Sequence, residues 1–314
     1  MTTEEKLVQS IVRMSQDGHT TRQITSKLQT TQYQVKKAKA LYRKSPGVYT
    51  KPSGVDYSLA PIIPQLYTDT KQYRRVAFLS DIHMPFENKK ALKVTFEILA
   101  DYKPDLIFLG GDILGCYQIS DHEKDPDRIE TLQNEFDVLN SYVQPINDLA
   151  PNVTFLFGNH EKRLYQIIRK NPALENLQSL SIKKAASLPD HWNVYQNQSH
   201  IRIGKLLYIH GDLASRNSGG RFVSAGMLDK LRTSVIFGHH HRMQTFYTSD
   251  YEGKLTAAFA NGTLCDIAQA RYIASPDWAT GFSLIDYSDD MSVYNVEQIL
   301  IINDSALWRG KLYT

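Results

Sequence analysis

Short apolar runs alternate with polar loops and amphipathic segments from Arg75 onward, a pattern typical of a layered α/β domain. The apolar runs predict strands at 76–79, 106–109, 153–157, 206–209 and 235–237. Apolar residues at helical spacing predict helices near 89–102, 127–149, 161–170 and 220–231. Three further alternations, at 255–259, 282–286 and 293–302, have no helix between them, and we expect them to form a second sheet.

The first 45 residues show helical periodicity instead of alternating strands and helices. Leu7 and Ile11 belong to an apolar stripe at i, i+4 spacing, which predicts a first helix. Thr20 with Gln23, and Thr31 with Gln34, have the spacing of capping boxes and predict the starts of two more short helices.

Three short helices with a tight turn between the last two resemble the helix-turn-helix family of DNA-binding modules, in which the last helix enters the major groove. The resemblance implies that the helix beginning at Thr31 contacts DNA. The side chains implied to do so are Gln32, Tyr33, Lys36 and Lys37, with Lys39, Arg43 and Lys44 at phosphates. The alternatives are a small helical bundle with a solvated basic face and an oligomerisation module.

Charge is divided unevenly along the chain. The 314 residues have a formal net charge of +3, but residues 1–53 contain ten basic and three acidic side chains, a net of +7. A composition of 42% hydrophobic and 22% charged residues excludes a disordered or collagen-like chain. The basic start favours DNA as a partner of the N-terminal segment.

Prolines and glycines interrupt the chain after Ser45, and we predict a linker there. The predicted domains are a helix-turn-helix module at 1–45, a linker at 46–72 and a catalytic domain at 73–314. Two cysteines, Cys116 and Cys265, favour a reducing compartment, and no apolar stretch is long enough to span a membrane. We therefore expect a cytoplasmic protein without a membrane partner.

Each of the five strands predicted first ends in groups that can bind a metal. These are Asp81 and His83, Asp112, Asn159 and His160, His210, and finally His239 and His241. Residues i and i+2 of an extended segment point the same way, so Asp81 and His83 are expected to converge, as are His239 and His241. Strand ends in α/β sheets share an edge, where ligands bind.

The ligand inventory predicts two metal ions. Two carboxylates, four imidazoles and one amide oxygen are too many for one tetrahedral ion, and Asp112 is the natural bridge. The mixture of nitrogen and oxygen suits a transition metal. We predict two divalent ions, with Mn²⁺ favoured and Fe, Zn, Ni or Mg as alternatives.

Five ordered blocks resemble those of the calcineurin-like metallophosphoesterase superfamily. They are Asp81-x-His83, Gly111-Asp112, Gly158-Asn159-His160-Glu161, His210 and Gly238-His239-x-His241. The resemblance implies a two-sheet αββα sandwich, here preceded by a small all-α helix-turn-helix domain. It also implies that Asp81, His83 and His241 hold one metal, that Asn159, His210 and His239 hold the other, that Asp112 bridges and that His160 is catalytic without being a ligand.

The chemistry so implied is phosphoester hydrolysis, with a hydroxide between the two metals as nucleophile and His160 protonating the leaving group. Joined to a DNA-binding module, it predicts a DNA-directed phosphodiesterase, an endonuclease or nickase of a phage-type architecture. The alternatives are a phosphomonoesterase, a cyclic-nucleotide phosphodiesterase or a protein phosphatase with a docking module, and a non-enzymatic DNA-binding scaffold. His122, Arg216 and Arg221 are predicted substrate contacts.

One position departs from the superfamily pattern. Many relatives have an aspartate three residues after the bridging aspartate, where this chain has Gly115. The protein phosphatases also have an arginine at the position of Phe157, so this branch is disfavoured. Gly115 leaves two candidates for orienting His160, a backbone carbonyl or a carboxylate from the 121–127 loop.

Overall fold

The computed structural model describes residues 3–16, 19–44, 67–121, 124, 128–174, 177, 180–196, 200–212, 222–269 and 277–314. The chain divides into two compact units, Met1–Pro61 and Ile62–Thr314. The boundary between them falls inside the proline-containing segment 46–72. No described helix is both long and apolar enough to cross a membrane.

The described residues of the first unit form three helices, α1 (Thr3–Gln16), α2 (Thr21–Lys27) and α3 (Gln32–Lys44). Both predicted capping boxes are present. At α2, Gln23 N donates to Thr20 Oγ1 at 3.3 Å and Thr20 N donates to Gln23 Oε1 at 2.8 Å. At α3 the equivalent bonds join Thr31 and Gln34 at 3.2 and 3.0 Å. The helices pack around a small core of Ile11, Ile24, Val35 and Ala38.

The second unit contains five helices and fourteen strands among the described residues. The helices are α4 (Lys89–Tyr102), α5 (Leu132–Leu149), α6 (Asn159–Lys170), α7 (Ile182–Ala185) and α8 (Val223–Leu231). The strands are β1 (Tyr67–Asp69), β2 (Arg75–Leu79), β3 (Leu106–Leu109), β4 (Asn152–Leu156), β5 (Asn193–Tyr195), β6 (His200–Ile203), β7 (Leu206–Ile209), β8 (Val235–Phe237), β9 (Gln244–Ser249), β10 (Leu255–Ala260), β11 (Gly281–Tyr287), β12 (Tyr294–Leu300), β13 (Ala306–Trp308) and β14 (Lys311–Tyr313).

The predicted elements are all present, with shifts at their ends. The helix expected at 127–149 begins only at Leu132, because Thr131 accepts from Asn134 N and caps it. The helix expected from 161 begins at Asn159, so three residues of the Gly158–Glu161 block lie in its first turn. The helix expected from 220 begins at Val223.

Twelve of the strands form two six-stranded sheets, ordered β12-β11-β2-β3-β4-β5 and β1-β6-β7-β8-β10-β9. The prediction that the strands after Met243 form a sheet of their own is wrong. β10 joins β8 in parallel, whereas β11 pairs antiparallel with β2 in the other sheet. Apolar alternation shows that one face of a strand is buried, but it does not select the hydrogen-bonding neighbour.

The two sheets pack face to face, with helices on their outer sides. Phe78 and Phe108 of one sheet meet Tyr208 of the other, and the Phe108 and Tyr208 ring centroids lie 4.7 Å apart. The opposite face of the first sheet packs against α4 and α5, and that of the second against α8. The unit is therefore a mixed α/β sandwich with two sheets at its centre.

The predicted linker is too long at its C-terminal end. Tyr67–Asp69 forms the edge strand β1, which pairs in parallel with β6. Tyr73 donates to Asp69 Oδ2 at 3.0 Å and is itself buried in the core between the sheets. Residues 46–66 lie outside the described residues. Proline and glycine show where strands are disfavoured. The strand β1, however, has only three residues, too few to show an alternation of apolar and polar positions in the sequence.

Candidate metal centre

The carboxyl ends of β2, β3, β4, β7 and β8 bring the predicted ligands together, although the five strands belong to two different sheets. Within the described part of the chain, three groups have ligand atoms that lie within 4.8 Å of one another. They are Asp81, His83 and His241; His83, Asp112 and His160; and Asp112, His210 and His239. The site therefore lies where the carboxyl ends of strands from the two sheets meet.

The first group is built around the fully buried Asp81. His241 Nε2 lies 3.3 Å from Asp81 Oδ1 and 3.1 Å from His83 Nε2. Two imidazole nitrogens and a carboxylate oxygen thus face one another at distances that a shared cation would satisfy.

The second group is built around His210. Its Nε2 lies 3.2 Å from Asp112 Oδ2, 2.9 Å from Asn159 Oδ1 and 3.3 Å from His239 Nδ1. Asp112 belongs both to this group and to the group that contains His83. The structure thus places Asp112 between the two sets of ligands.

The surroundings of His210 show that the second group is suited to a cation. Its Nδ1 lies 3.0 Å from the Gly110 carbonyl oxygen and donates to it, which leaves Nε2 facing Asp112 Oδ2 and Asn159 Oδ1. Burial disfavours a charge on His210, yet Asp112 and other nearby carboxylates outweigh it and raise the pKa of His210 to about 10. The oxygen acceptors thus favour positive charge beside Nε2, either as a proton or as a metal ion in its place, and the residues fit a metal ion.

Five of the seven candidate ligands occupy an uncommon backbone conformation. Asp81, His83, Asp112, His239 and His241 have φ values of 57°, 54°, 51°, 69° and 58°. The left-handed region is unfavourable for residues with a side chain, and such strain collects at functional sites. The side chains of Asp81 and His83 do converge, but the extended geometry we expected for them is wrong, because both residues have positive φ values.

Hydrogen bonds from the surrounding chain hold the two aspartates in place. His239 N donates to both carboxylate oxygens of Asp81 at 3.0 Å. Thr263 Oγ1 donates to the Asp81 carbonyl at 2.6 Å. A Cβ on Gly158 would overlap Asp112 Oδ1, so only glycine permits this approach of the two backbones.

Glu161 has a positioning role that the sequence did not reveal. Its fully buried carboxylate accepts from Asp112 N at 3.0 Å and Gly158 N at 2.8 Å through Oε2, and from Leu114 N at 2.8 Å through Oε1. Burial, with the charge of Asp112, raises its pKa to about 7. Glu161 thus ties the loop after β3 to the first turn of α6.

The backbone carbonyl of Gly115 orients His160, which is one of the two candidates considered above. His160 Nδ1 lies 2.6 Å from this oxygen, and Arg163 Nη1 donates to the same oxygen at 3.2 Å. His160 Nε2 is thereby directed to the centre, 3.6 Å from Asp112 Oδ2. Burial lowers the pKa of His160 to about 4.

Other residues near the centre were not identified from the sequence. The Trp278 ring packs edge-on against His241, with centroids 4.1 Å apart. Asn261 donates to Ser80 Oγ at 3.0 Å and accepts from Ser283 Oγ at 2.7 Å. Asn261 and Trp278 lie between β10 and β11, and Ser283 lies on β11. No spacing in the sequence connects them with the ligand blocks.

The remaining predicted contacts are only partly described. The predicted substrate contacts His122, Arg216 and Arg221 lie outside the described residues. In the first unit, Gln32, Tyr33 and Lys36 are exposed on α3, whereas Lys39 Nζ lies 3.4 Å from Thr21 Oγ1 on α2. The side chains of Lys37, Arg43 and Lys44 lie outside the described part of α3.

Carboxylates, imidazoles and an amide converge beside an oriented histidine, and this set of donors fits divalent metal ions. The sequence model of the calcineurin-like phosphoesterase family matches residues 74–270. This match spans more than half of the chain, and the protein therefore belongs to the calcineurin-like phosphoesterase family.

Two phage proteins and a solved structure resemble this chain at low sequence identity. The Gene 54 protein of Mycobacterium phage D29 is 25% identical over 235 residues, which cover 68% of this chain and 88% of that protein. The Gene 54 protein of Mycobacterium phage L5 is 24% identical over the same length and shares. Wild-type Vps29 from Entamoeba histolytica, crystallised with zinc, is 14% identical with a TM-score of 0.38, covering 76% of this chain and 96% of that one.

Proposed function

We propose that this protein is a metal-dependent phosphodiesterase that cleaves DNA as an endonuclease or nickase, and that residues 1–45 are a helix-turn-helix module that binds the duplex. Membership of the calcineurin-like phosphoesterase family supports the hydrolytic half of the proposal. The three helices and their exposed basic residues support the DNA-binding half.

The ligands of the proposed centre follow from its two groups. Asp81, His83 and His241 would hold one divalent ion, and Asn159, His210 and His239 the other, with Asp112 shared. Mn²⁺ is the favoured metal for this mixture of nitrogen and oxygen donors. When bound, two such ions would supply positive charge for a phosphate and would lower the pKa of a water molecule.

His160 supplies the proton in the proposed reaction. The Gly115 carbonyl accepts from Nδ1, so the ring presents Nε2 to the centre in a fixed orientation. Nε2 lies 3.6 Å from Asp112 Oδ2 and so faces the carboxylate that the two ligand groups share. Because burial lowers the pKa of His160, Nε2 would take up a proton only with the negative charge of a bound phosphodiester beside it, and would give that proton to the leaving oxygen as its bond to phosphorus breaks.

The exposed polar residues at the start of α3 are the observation that favours DNA as the substrate. Tyr33 is 73% exposed, and Gln32 and Lys36 are exposed beside it on the first turns of α3. Peptide N–H groups and the helix dipole at this end favour phosphate, and polar side chains there can reach base edges. The net charge of +7 on residues 1–53 adds salt-dependent attraction to the DNA backbone.

The test compares Tyr33→Ala and Lys36→Gln with Arg22→Gln, which removes an exposed cation from α2 of the same unit. We expect the α3 variants to weaken duplex cleavage and, for Lys36→Gln, to reduce the salt slope of binding by about one. Hydrolysis of bis(p-nitrophenyl) phosphate should be unchanged in all three. Equal effects of Arg22→Gln and Lys36→Gln, or hydrolysis of phosphomonoesters alone, would contradict the proposal.

A further inference from the structure

The peptide unit between Gly115 and Cys116 is held at both of its polar groups. Its carbonyl oxygen, on Gly115, accepts from His160 Nδ1 at 2.6 Å. Its N–H, on Cys116, donates to Glu135 Oε2 at 2.6 Å. The C=O and N–H of a trans peptide lie in one plane and point in opposite directions, so the His160 ring and the Glu135 carboxylate fix the same plane from its two sides.

Glu135 reaches this peptide from a helix that supplies no candidate ligand. It lies in the first turn of α5 and is 1% exposed. Its other oxygen, Oε1, accepts from Tyr117 N at 3.2 Å, so one carboxylate binds two successive N–H groups of the loop after β3. Cys116 is fully buried, and its N–H would be left without an acceptor at a cost in free energy if the carboxylate were removed.

Backbone strain at Cys116 acts on the same peptide unit. Cys116 has a φ of 45°, in the left-handed region that is unfavourable for a residue with a side chain. A more favourable φ is reached by rotating the peptide unit before Cys116, together with ψ of Gly115. Gly115 N donates to the Met84 carbonyl at 2.8 Å, so the rotation is confined to this one peptide. It would turn the Gly115 carbonyl away from His160.

The contacts on the oxygen side come from another helix. Arg163 Nη1 donates to the Gly115 carbonyl at 3.2 Å and, like His160, belongs to α6. The carbonyl oxygen therefore has two donors from α6. Among the described contacts, the acceptor on the N–H side is Glu135 of α5.

We propose that Glu135 is a positioning residue that holds the peptide between Gly115 and Cys116 in the orientation in which its carbonyl directs His160 to the metal centre. The inference rests on the proposed role of His160 as proton donor, and Glu135 acts only through that residue. Loss of the Glu135 carboxylate therefore impairs protonation of the leaving oxygen and leaves substrate binding in place.

The kinetic test compares two diesters that differ in their leaving groups. p-Nitrophenolate leaves readily without a proton, whereas the more basic phenolate depends on one. We expect Glu135→Met, which removes both acceptor oxygens, to lower kcat for diphenyl phosphate by about 10²-fold, the lower end for general acid catalysis. The loss of kcat for bis(p-nitrophenyl) phosphate should be much smaller, and KM should change little for either diester.

The matched control is Glu87→Met, which removes another buried carboxylate. Glu87 is 7% exposed, and its Oε1 accepts from Tyr142 Oη at 3.4 Å. This variant should leave the ratio of the two rates unchanged. Glu135→Gln retains one acceptor oxygen and should cause a smaller loss with the same dependence on the leaving group, and it replaces Glu135→Met if that variant does not fold.

Removing His160 shows whether Glu135 acts through it. In a His160→Asn background, Glu135→Met should cause no further loss of diphenyl phosphate hydrolysis, because the proton donor is already absent. Losses that multiply in the double variant, or equal losses on the two diesters in Glu135→Met, would overturn the positioning role.

A spectroscopic test does not depend on turnover. The His160 Nδ1–H proton is bonded to a carbonyl at 2.6 Å and should resonate far downfield in the ¹H spectrum of ¹⁵N-histidine-labelled protein. Diamagnetic Zn²⁺ is used in place of Mn²⁺, and His160→Asn identifies the signal by its absence. We expect the signal to be lost in Glu135→Met, or to exchange faster with water, and to persist in Glu87→Met. An unchanged signal in Glu135→Met would overturn the proposal.

The two tests separate the positioning role from the function on which it rests. If the wild type hydrolyses neither diester but the His160 signal depends on Glu135, the phosphodiesterase is contradicted and the positioning role is supported. If both diesters are hydrolysed and the signal is independent of Glu135, the phosphodiesterase is supported and the positioning role is contradicted.

Discussion

The two units of the chain present their candidate functional residues in opposite ways. In the larger unit, Asp81 and Asp112 are buried and held by hydrogen bonds, and they and three other candidate ligands have left-handed backbone conformations. In the first unit, Gln32, Tyr33 and Lys36 are exposed on an ordinary helix. A buried, strained arrangement persists only where the surrounding structure holds it, so its sequence pattern is specific. Exposed residues on a helix are not strained, and many sequences can place them there, so their pattern is less specific.

The largest effect that would test this contrast comes from Asp112→Asn. Removing the charge shared by both ligand groups should lower phosphodiester hydrolysis by about 10²- to 10³-fold, as loss of one main electrostatic group does. DNA binding should be retained, because the proposed binding residues lie in the other unit. Asp190→Asn is the control, since the Asp190 side chain is 96% exposed. An equal loss of DNA binding would show that the two functions share one site.

Metal removal is expected to act on the larger unit alone. Chelation with EDTA should abolish hydrolysis, and Mn²⁺ should restore it and raise Tm, because an ion that binds only the folded state stabilises it. At a free Mn²⁺ concentration 100 times Kd, the stabilisation is about 2.7 kcal/mol. Calorimetry before and after chelation measures the shift. Full activity after exhaustive chelation would refute the metal centre.

Glu161→Gln tests whether a residue that touches no substrate supports the centre. The amide cannot accept all three backbone N–H groups that the Glu161 carboxylate accepts, so a buried donor loses its partner. We expect the free energy of unfolding to fall by about 1–3 kcal/mol, the cost of an unpaired buried donor. Metal affinity should weaken by about 10- to 100-fold, as it does when a residue that orients a metal ligand is lost. Metal titration followed by calorimetry measures both, and Glu97→Gln on α4 is the exposed control.

The smallest effect is expected from Thr31→Ala at the start of α3. Loss of the capping bond to Gln34 N should destabilise the first unit by about 1 kcal/mol. DNA binding should weaken through fraying of α3, while hydrolysis of a small diester stays the same. Thr248→Ala, an exposed substitution on β9, is the control. A decline in small-diester hydrolysis would show that the two units are coupled.

Much of the fold followed from local patterns. The strands that precede the ligands were predicted to within a residue, because short apolar runs bounded by glycine and polar residues have few other interpretations. The two capping boxes located the starts of α2 and α3 for the same local reason. The sheet to which β10 and β11 belong could not be read in this way, because pairing depends on contacts far apart in sequence.

The candidate site shows the same division between local sequence patterns and tertiary contacts. The sequence by itself determined the identity and order of the groups that meet at the centre, because each lies directly after a strand whose apolar run marks it. Only the tertiary structure decided that Asp112 lies between the two ligand groups, that the Gly115 carbonyl orients His160 and that Trp278 packs on His241. Backbone carbonyls leave no mark in a sequence, and contacts between distant loops form only when the two sheets pack together.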